Sequence, residues 1–490
     1  MQCSIWTMIK LKSAGNHPIF YRIISFKLSM RKHFFWALIA LTAFNFSCES
    51  IQDEMQQDIL LKYPEKAKDM NIYEVNIRQY TPEGTINAFI PHIDRLKNMG
   101  VDILWIMPVQ PIGEKNRKEP LGSYYSIKDY TSINPNFGSI DDFNELVKKA
   151  HEKEMIVLLD WVANHTAYDH HWAEEHPEYY NLDSAGNLQS PVEDWTDVAD
   201  LNYKNDDLHQ AMISEMKWWI SETDIDGFRC DVAGMVPNEF WKKAIDSLEA
   251  EKDVFMLAEW DEPKMHDAGF DMTYGWEFHH LLNDIAKGNA NGDSVVAYLE
   301  KDTKRYDSTA FRMYFTSNHD ENSWNGTVFE RMGDAYKALA VLTATVPGMP
   351  LIYSGQEAGL NKRLSFFDKD TIDWSNLSYE DFYSQLLTLK KNNPALWNGA
   401  FGGDFQEINK EQNSSELLAF QRKKDENEVL IILNLSDSTQ SFVIDKKYAG
   451  NTYQKANNPQ LTVNFSENQE PLLFDPWSYM ILTKNSLNTK

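Results

Sequence analysis

From residue 70 onward, short apolar runs alternate with longer segments whose apolar residues recur at helical spacing. Helix-like segments between the runs include 141–152, after a cap residue at Ser139, 207–222 and 238–250. The apolar runs, eight in number, are NIYEVNIRQY, DILWIMPV, MIVLLDWV, GFRCDVA, VFMLAEW, FDMTYGW, RMYFTSN and PLIYSGQ. Repeats of this kind predict an α/β fold, a closed (β/α)8 TIM barrel. An open parallel sheet fits the same alternation, although RQYTPEGT after the first run is not a nucleotide-binding glycine loop.

Two parts of the chain break this repeat. The connection that follows DWVANH is too long for an ordinary loop, and it predicts a small inserted subdomain over 166–205, between barrel segments 70–165 and 206–395. After residue 395, the runs ELLAFQRKK, EVLIILNLS, QSFVIDK and PWSYMILTK are separated by turn residues. They predict a C-terminal antiparallel β-sandwich over 396–490.

The N-terminal part is typical of an exported protein. MRKHFFWALIALTAFNFSCES joins a basic start to an apolar run that is too short to span a membrane, with Ser47 before Cys48. It resembles a bacterial lipoprotein signal, with Cys48 as the lipidated residue; an ordinary cleaved signal is the alternative. Because Met30 is a better start, we interpret 1–47 as an over-called start plus signal and the polar segment 48–69 as a tether. The expected location is the outer membrane, on its periplasmic or cell-surface face.

The net charge restricts the classes of binding partner, and the cysteine count bears on disulfide bonds. The net charge of −26, from 47 basic and 73 acidic residues, argues against nucleic acid or an anionic membrane surface as the main partner. Contact with a membrane is therefore expected only through the lipid anchor. The three cysteines, Cys3, Cys48 and Cys230, form no even disulfide framework. Cys230 lies between Arg229 and Asp231 in a predicted strand, so it should face the helix layer while they face the barrel.

Polar residues end several of the apolar runs. The carboxyl ends of barrel strands meet at one face, where barrel enzymes place their chemistry. The residues concerned are Asp160, Asn164 and His165 at or just after the end of the third run, Arg229 and Asp231 in the fourth, Glu259 in the fifth, and His319 and Asp320 just after the seventh. The sequence has no HExxH, P-loop or CxxC motif. Carboxylate chemistry on a barrel points first to glycoside hydrolysis.

Each of these residues also has an ordinary structural interpretation. Arg229 and Asp231 could form a buried ion pair, and Glu259 could be a solvated strand end. His165 and His319 could be satisfied core histidines. The recurrence of such residues at successive strand ends favours an active site.

The ordered motifs resemble those of the alpha-amylase family, glycoside hydrolase family 13. DWVANH, ADLN, GFRCDVA, LAEW and SNHDE occur in the family's order. LGSYYSIKDY is similar to its Tyr-x-x-x-Asp-Tyr segment, and IYSGQEAG to its eighth strand. The resemblance extends over residues 70–485.

The resemblance implies a role for each candidate residue. Asp231 would be the nucleophile, Glu259 the general acid/base and Asp320 the group that stabilises the transition state. Arg229 would lower the pKa of Asp231, and Trp260 beside Glu259 suits a raised pKa there. The implied substrate-binding residues are Tyr125, Asp160, His165, Arg229, Trp260, His319 and Trp324.

The family also implies one structural calcium ion and no organic cofactor. Its ligands would include Asn164, Asp200 and the backbone carbonyl of Met235, since calcium prefers hard oxygen donors. The alternative is a calcium-free member in which Asn164 only makes hydrogen bonds.

One departure concerns the leaving-group side of the site. Many family members place Lys and His three and four residues after the nucleophile, where this chain has Gly234 and Met235. The expected function is a retaining hydrolase of internal α-1,4-glucosidic bonds in starch- or glycogen-like α-glucans or maltooligosaccharides. Alternatives are an exo-acting α-glucosidase, a neopullulanase or maltogenic enzyme, a glucanotransferase, and a non-catalytic surface glycan-binding lipoprotein.

Overall fold

A closed parallel barrel is the centre of the computed structural model, which describes residues 61–408, 410–466 and 469–484. Its strands are β1 (Ile72–Val75), β2 (Ile103–Ile106), β3 (Ile156–Trp161), β4 (Gly227–Cys230), β5 (Phe255–Ala258), β6 (Met272–Tyr274), β7 (Phe311–Phe315) and β8 (Met349–Tyr353). They follow one another in chain order around the barrel, and β8 pairs with β1 to close it. All eight apolar runs of the sequence therefore form the strands they predict.

Helices lie between and after these strands. The predicted helix after Ser139 is confirmed: the Ser139 hydroxyl accepts from the Asp142 N–H, and the Asp142 carboxylate accepts from the Ser139 N–H. The α-helices are Ile77–Tyr80, Ile86–Phe89, Ile93–Met99, Ile140–His151, Trp172–Glu175, Asp206–Thr223, Asn238–Glu249, Lys264–Asp267, Trp276–Ala286, Gly292–Arg305, Val328–Met332, Tyr336–Thr345 and Glu380–Asn392.

Side chains alternate between the inside of the barrel and the helix layer, as the two-residue period of strands requires. Trp105 and Leu158 belong to the cluster that fills the barrel. Phe228 and Cys230 belong to the outer cluster, which includes residues of the surrounding helices. The predicted outward orientation of Cys230 is thus confirmed, and Arg229 between them faces the barrel interior.

The long connection after β3 carries a two-stranded antiparallel ribbon. Its strands are His165–Ala167 and Val198–Asp200, with His165 opposite Asp200. The Ser126 hydroxyl donates to the Asp197 carbonyl (3.0 Å), which ties this segment to the loop after β2. The connection therefore places its residues beside the carboxyl ends of the barrel strands.

The C-terminal region is antiparallel, as predicted. A six-stranded sheet has the order Asp404–Glu407, Leu417–Lys424, Asn427–Asn434, Tyr479–Lys484, Thr452–Lys455 and Asn458–Asn464. Phe420 and Ile431 on one face pack with Leu342 of a barrel helix. The other face packs against a ribbon of only two strands, Gln440–Phe442 and Leu472–Phe474. The second layer of the sandwich is therefore small.

The tether predicted over 48–69 is wrong at its C-terminal end. Tyr63 and Ala67 are buried in the cluster that fills the barrel, and the Asn398 side-chain amide donates to the Ala67 carbonyl (3.0 Å). These two buried side chains lie within a polar stretch, so the hydropathy pattern of the segment does not reveal that it is packed against the barrel. The predicted signal over 1–47, with Cys48, lies outside the described residues. Within the described ranges, no helix has both the length and the apolar character needed to cross a bilayer.

Candidate active site

Arg229 lies at the centre of the carboxylate cluster. The side chain is fully buried, and its Nη1 lies 3.0 Å from Asp231 Oδ1 and 2.9 Å from Asp160 Oδ1. Its Nη2 lies 2.9 Å from Glu259 Oε1, and its Nε donates to the Tyr274 hydroxyl (3.1 Å). Buried charges need such partners, because desolvation is costly for each of them. One guanidinium therefore positions both the predicted nucleophile and the predicted acid.

Burial separates the two carboxyl groups in pKa. It raises the pKa of Glu259 to about 8, although Arg229 opposes the rise. It raises the pKa of Asp231 to about 6, and Arg229 again opposes it. Arg229 lowers the pKa of Asp231 as expected, but the cost of burial exceeds this attraction, so the net pKa lies above the ordinary value. At neutral pH, Asp231 is still ionised and Glu259 is protonated, the division of roles that a nucleophile and an acid require.

Strand β4 ends in a sharp turn at Val232. This residue has φ 36° and ψ 44°, a left-handed conformation that is costly for a β-branched side chain. The turn directs the Val232 N–H to Glu259 Oε2 (2.8 Å). The residue after the nucleophile therefore fixes the acid.

His319 is held in a buried network. Its Nδ1–H donates to Glu74 Oε1 (2.5 Å), and its Nε2 lies 2.8 Å from the Tyr125 hydroxyl and 3.4 Å from Asp320 Oδ2. Burial alone would lower the pKa of His319, but Asp320 and Glu74 raise it to about 9. At neutral pH His319 is an imidazolium.

His165 is neutral, in contrast to the charged His319. Burial lowers its pKa to about 4, so the ring is neutral at pH 7. The Asn164 side-chain amide lies 3.2 Å from Nδ1 and donates to it, which leaves Nε2 as the protonated nitrogen. The ring packs edge-to-face against Trp195 with centroids 5.4 Å apart.

These side chains surround a cavity of about 540 Å³. Its lining includes five predicted charged or imidazole residues, three charged residues that were not predicted (Lys118, Asp194 and Asp197) and several aromatic rings. The principal lining residues are Tyr125, His165, Trp195, Asp231, Glu259, His319, Asp320, Trp324, Phe366 and Phe367. Aromatic faces beside hydrogen-bonding groups suit a ligand with apolar faces and polar edges.

Comparison with known proteins decides the family. The model of the alpha-amylase catalytic domain matches residues 49–197 and 192–376, more than half of the chain. The chain belongs to the alpha-amylase family. It is therefore a glycoside hydrolase with the barrel fold of that family.

Relatives of this alpha-amylase family member carry several activities in their names. Alpha-amylase MalA of Haloarcula japonica is 27% identical over 391 residues, which span 76% of this chain and 56% of MalA. A cyclomaltodextrinase of Thermoanaerobacter pseudethanolicus is 23% identical over 89% of this chain and 80% of that enzyme. The protein is also similar to the crystal structure of an alpha-amylase from Lactobacillus plantarum, with 29% sequence identity and a TM-score of 0.76. The superposition covers 85% of this chain and 99% of the Lactobacillus chain.

Asp160, Arg229 and Trp260 of this family member do not line the cavity with the other predicted substrate-binding residues. Asp160 is fully buried beneath it, where its Oδ2 accepts from Trp105 Nε1 (3.0 Å) and the Tyr125 hydroxyl (3.1 Å). It therefore positions Arg229 and Tyr125. Trp260 lies beside Glu259 with its indole against the backbone of a neighbouring turn.

Several residues of the site were not predicted from the sequence. Phe366 stacks on Tyr125 with centroids 6.2 Å apart and packs against Trp324 at 5.0 Å, which forms an aromatic wall. Trp195 comes from the long connection after β3, and Glu74 from β1. A signal existed for some of them: FF stands in the polar loop RLSFFDKD, and Glu74 is a charge within an apolar strand, just as Arg229 is.

Two of the residues expected to bind calcium make hydrogen bonds in the structure, and the calcium ion stays a prediction. Asn164 donates its side-chain amide to His165, and Asp200 Oδ2 accepts from Asn181 (2.7 Å). In the described residues, no group of three or more His, Cys, Asp or Glu side chains is placed to hold a metal ion. Calcium takes about six to eight oxygen ligands, usually with several carboxylates. No step of the mechanism is therefore derived through it.

Proposed function

We propose that this protein is a retaining hydrolase of internal α-1,4-glucosidic bonds in starch- or glycogen-like α-glucans and maltooligosaccharides. The observation that carries the proposal is the contact of Arg229 with both Asp231 and Glu259. In this site burial raises the pKa of Glu259 above that of Asp231. Retaining enzymes need two carboxyl groups about 5–5.5 Å apart, one ionised and one protonated. Two carboxylates on one guanidinium are compatible with that spacing.

The first step would form a glycosyl ester. An Asp231 oxygen attacks the anomeric carbon while Glu259 donates its proton to the glycosidic oxygen. The C–O bond to the leaving sugar breaks, and that sugar departs as an alcohol. In the second step, the Glu259 carboxylate takes a proton from water, whose oxygen attacks the same carbon and releases Asp231. Two inversions retain the α configuration.

The remaining residues would bind the sugar at the reacting centre. The transition state carries positive charge, so the Asp320 carboxylate at the cavity can stabilise it. Protonated His319 and neutral His165 can each donate a hydrogen bond to sugar hydroxyls. Tyr125, stacked on Phe366, offers a flat face to the ring.

A second candidate is hydrolysis of cyclic maltodextrins or of substrates cleaved from an end. It is favoured by the similarity to a cyclomaltodextrinase over 89% of this chain and by Gly234 and Met235, which stand where many family members have Lys and His. A non-catalytic glycan-binding protein is disfavoured, because Asp231, Glu259 and Asp320 all line one cavity.

The test is a time course of products from amylose, maltoheptaose, β-cyclodextrin, pullulan and isomaltose, with Glu259→Gln as the control. We expect early loss of iodine staining on amylose, mixed maltooligosaccharides of α configuration, and a fall of at least about a thousandfold in kcat for the variant. Products that come only from chain ends would contradict internal cleavage. Unchanged turnover in Glu259→Gln would contradict the acid assignment.

A further inference from the structure

Lys118 and Asp197 line the active-site cavity from two segments that are far apart in the chain. Lys118 lies in the loop after β2, and Asp197 lies in the long connection after β3. Lys118 Nζ lies 3.4 Å from Asp197 Oδ1 and donates to the Asp194 carbonyl (2.5 Å). Neither Lys118 nor Asp197 belongs to the motifs by which the sequence resembles the alpha-amylase family. The ion pair is therefore a feature of this chain that the family resemblance does not account for.

The carboxylate of Asp197 is only half partnered. Asp197 is 4% exposed, yet among the residues that the structure describes its Oδ2 has no hydrogen-bond partner. Asp160, the buried carboxylate beneath the same cavity, has hydrogen-bond partners on both oxygens. A buried acceptor without a donor is costly, and most buried polar groups have a partner. Because Asp197 lines the cavity, a bound ligand can supply the missing donor.

The ammonium group of Lys118 retains a donor for the same ligand. An ammonium group carries three N–H bonds and no acceptor. In the described parts of the chain, Lys118 Nζ makes two polar contacts, with the Asp194 carbonyl and with Asp197 Oδ1, so one N–H remains. Nζ also lies 5.9 Å from the centroid of the Phe367 ring, which lines the same cavity. The ammonium group therefore stands where the aromatic wall meets the long connection.

The backbone on both sides of the pair is fixed. The Ser126 hydroxyl donates to the carbonyl of Asp197 (3.0 Å). Glu119, next to Lys118, has φ 55°, a left-handed conformation that is unfavourable for a residue with a Cβ atom. Such strain persists only where the surrounding contacts enforce it. The pair is therefore preorganised, and a ligand does not have to order it.

A free acceptor beside a free donor matches two neighbouring hydroxyl groups of a sugar. A hydroxyl group can donate and accept, so one hydroxyl can donate to Asp197 while the next accepts from Lys118. A glucose unit linked through its C1 and C4 oxygens keeps one such neighbouring pair, on C2 and C3. Hydrogen bonds to charged groups are stronger than those between neutral groups, so this contact suits selection of a substrate.

We propose that Lys118 and Asp197 are specificity-determining residues that bind neighbouring hydroxyls of a glucose unit other than the one that reacts. The cavity of about 540 Å³ has room for more than the reacting unit. The inference rests on the proposed function and adds the means by which this enzyme prefers a chain to a single glucoside.

The test compares a substrate that has further glucose units with one that has none. Maltoheptaose has them, whereas α-glucosyl fluoride offers only the reacting unit. We expect Asp197→Ala and Lys118→Met each to lower kcat/KM for maltoheptaose about tenfold and to change that for the fluoride less than about twofold. Equal losses on both substrates, or no loss on maltoheptaose, would overturn the proposal. A wild-type enzyme that hydrolyses neither would overturn the proposed function instead.

The double variant tests whether the two side chains act together. Because each side chain positions the other, Asp197→Ala combined with Lys118→Met should lower kcat/KM for maltoheptaose no more than about twofold beyond either single variant. Losses that multiply would contradict joint binding of one glucose unit.

Asp197→Asn keeps the shape of the side chain and serves if the alanine variant fails to fold. Because the amide keeps one acceptor but loses the charge, this variant should show the same selective loss on maltoheptaose at about threefold. Full activity of Asp197→Asn on maltoheptaose would overturn the proposal. Glu193→Gln, at an exposed acidic residue of the same connection, is the matched control and should leave both rates unchanged.

Discussion

At the scale of single residues, Glu74 is one of two carboxylates that set the charge of His319. Its carboxylate is fully buried in β1 and lies 2.5 Å from Nδ1, while Asp320 contacts the other ring nitrogen. Arg229 and burial both act against protonation of the ring. The imidazolium therefore depends on two carboxylates, and only one of them belongs to the catalytic set.

Removal of Glu74's charge should change the pH dependence of the reaction. With a folded-state pKa of about 9, His319 is charged throughout the neutral range and loses its proton only as the pH rises through that value. In Glu74→Gln, burial and Arg229 lower that pKa, so the charge is lost at lower pH. We expect kcat/KM at pH 8 to fall about tenfold relative to wild type, with a smaller difference at pH 5.5, because a charged hydrogen bond contributes about 1.5–3 kcal/mol.

The measurement is kcat/KM for maltoheptaose from pH 5 to 9, with exposed Glu83→Gln as the control for loss of one acidic charge. A variant whose profile keeps the wild-type shape and is only lowered uniformly would show that Glu74 has a packing role alone.

Glu74 also shows the limit of prediction from single residues. In IYEVN, Glu74 is a charged residue inside an apolar strand, just as Arg229 is in GFRCD. Arg229 had a partner two residues away, whereas the partner of Glu74 is 245 residues distant in the chain. Local spacing could therefore indicate the first pair and not the second.

At the scale of elements, strand ends and caps were the most predictable features. Ser139 caps the helix Ile140–His151 through a reciprocal pair of hydrogen bonds that depends only on residues three apart. The tether shows the opposite case. Its C-terminal end is fixed by Asn398, a residue more than 300 positions away, so its own composition carried no warning.

Loss of that cap should have a measurable effect on stability. Ser139→Ala removes the acceptor for the Asp142 N–H and is expected to lower the free energy of unfolding by about 1 kcal/mol. The measurement is urea denaturation followed by circular dichroism. Ser214→Ala is the matched control, since this exposed hydroxyl only donates to the Gln210 carbonyl within its helix. A cap variant no less stable than the control would contradict the assignment.

At the scale of the whole molecule, we propose that the chain is exported and anchored through a lipid on Cys48. The motif FSCES follows a short apolar run, which favours lipidation at that cysteine. Expression in a bacterial host with labelled palmitate should give label in the membrane fraction. Cys48→Ser should lose the label and release the protein, while buried Cys230→Ser should not change labelling. Equal labelling of the Cys48 variant would contradict the anchor.

The sequence by itself determined the barrel, the order of its strands and most of the polar residues at their carboxyl ends. These features are local, because apolar runs and two-residue alternation are set by neighbours along the chain. Only the tertiary structure decided which charges share Arg229, how far burial raises the pKa of Asp231 and Glu259, and that Lys118 meets Asp197 at the cavity. Desolvation and steric contact arise between segments that meet only after folding, so the spacing of residues along the sequence does not predict them.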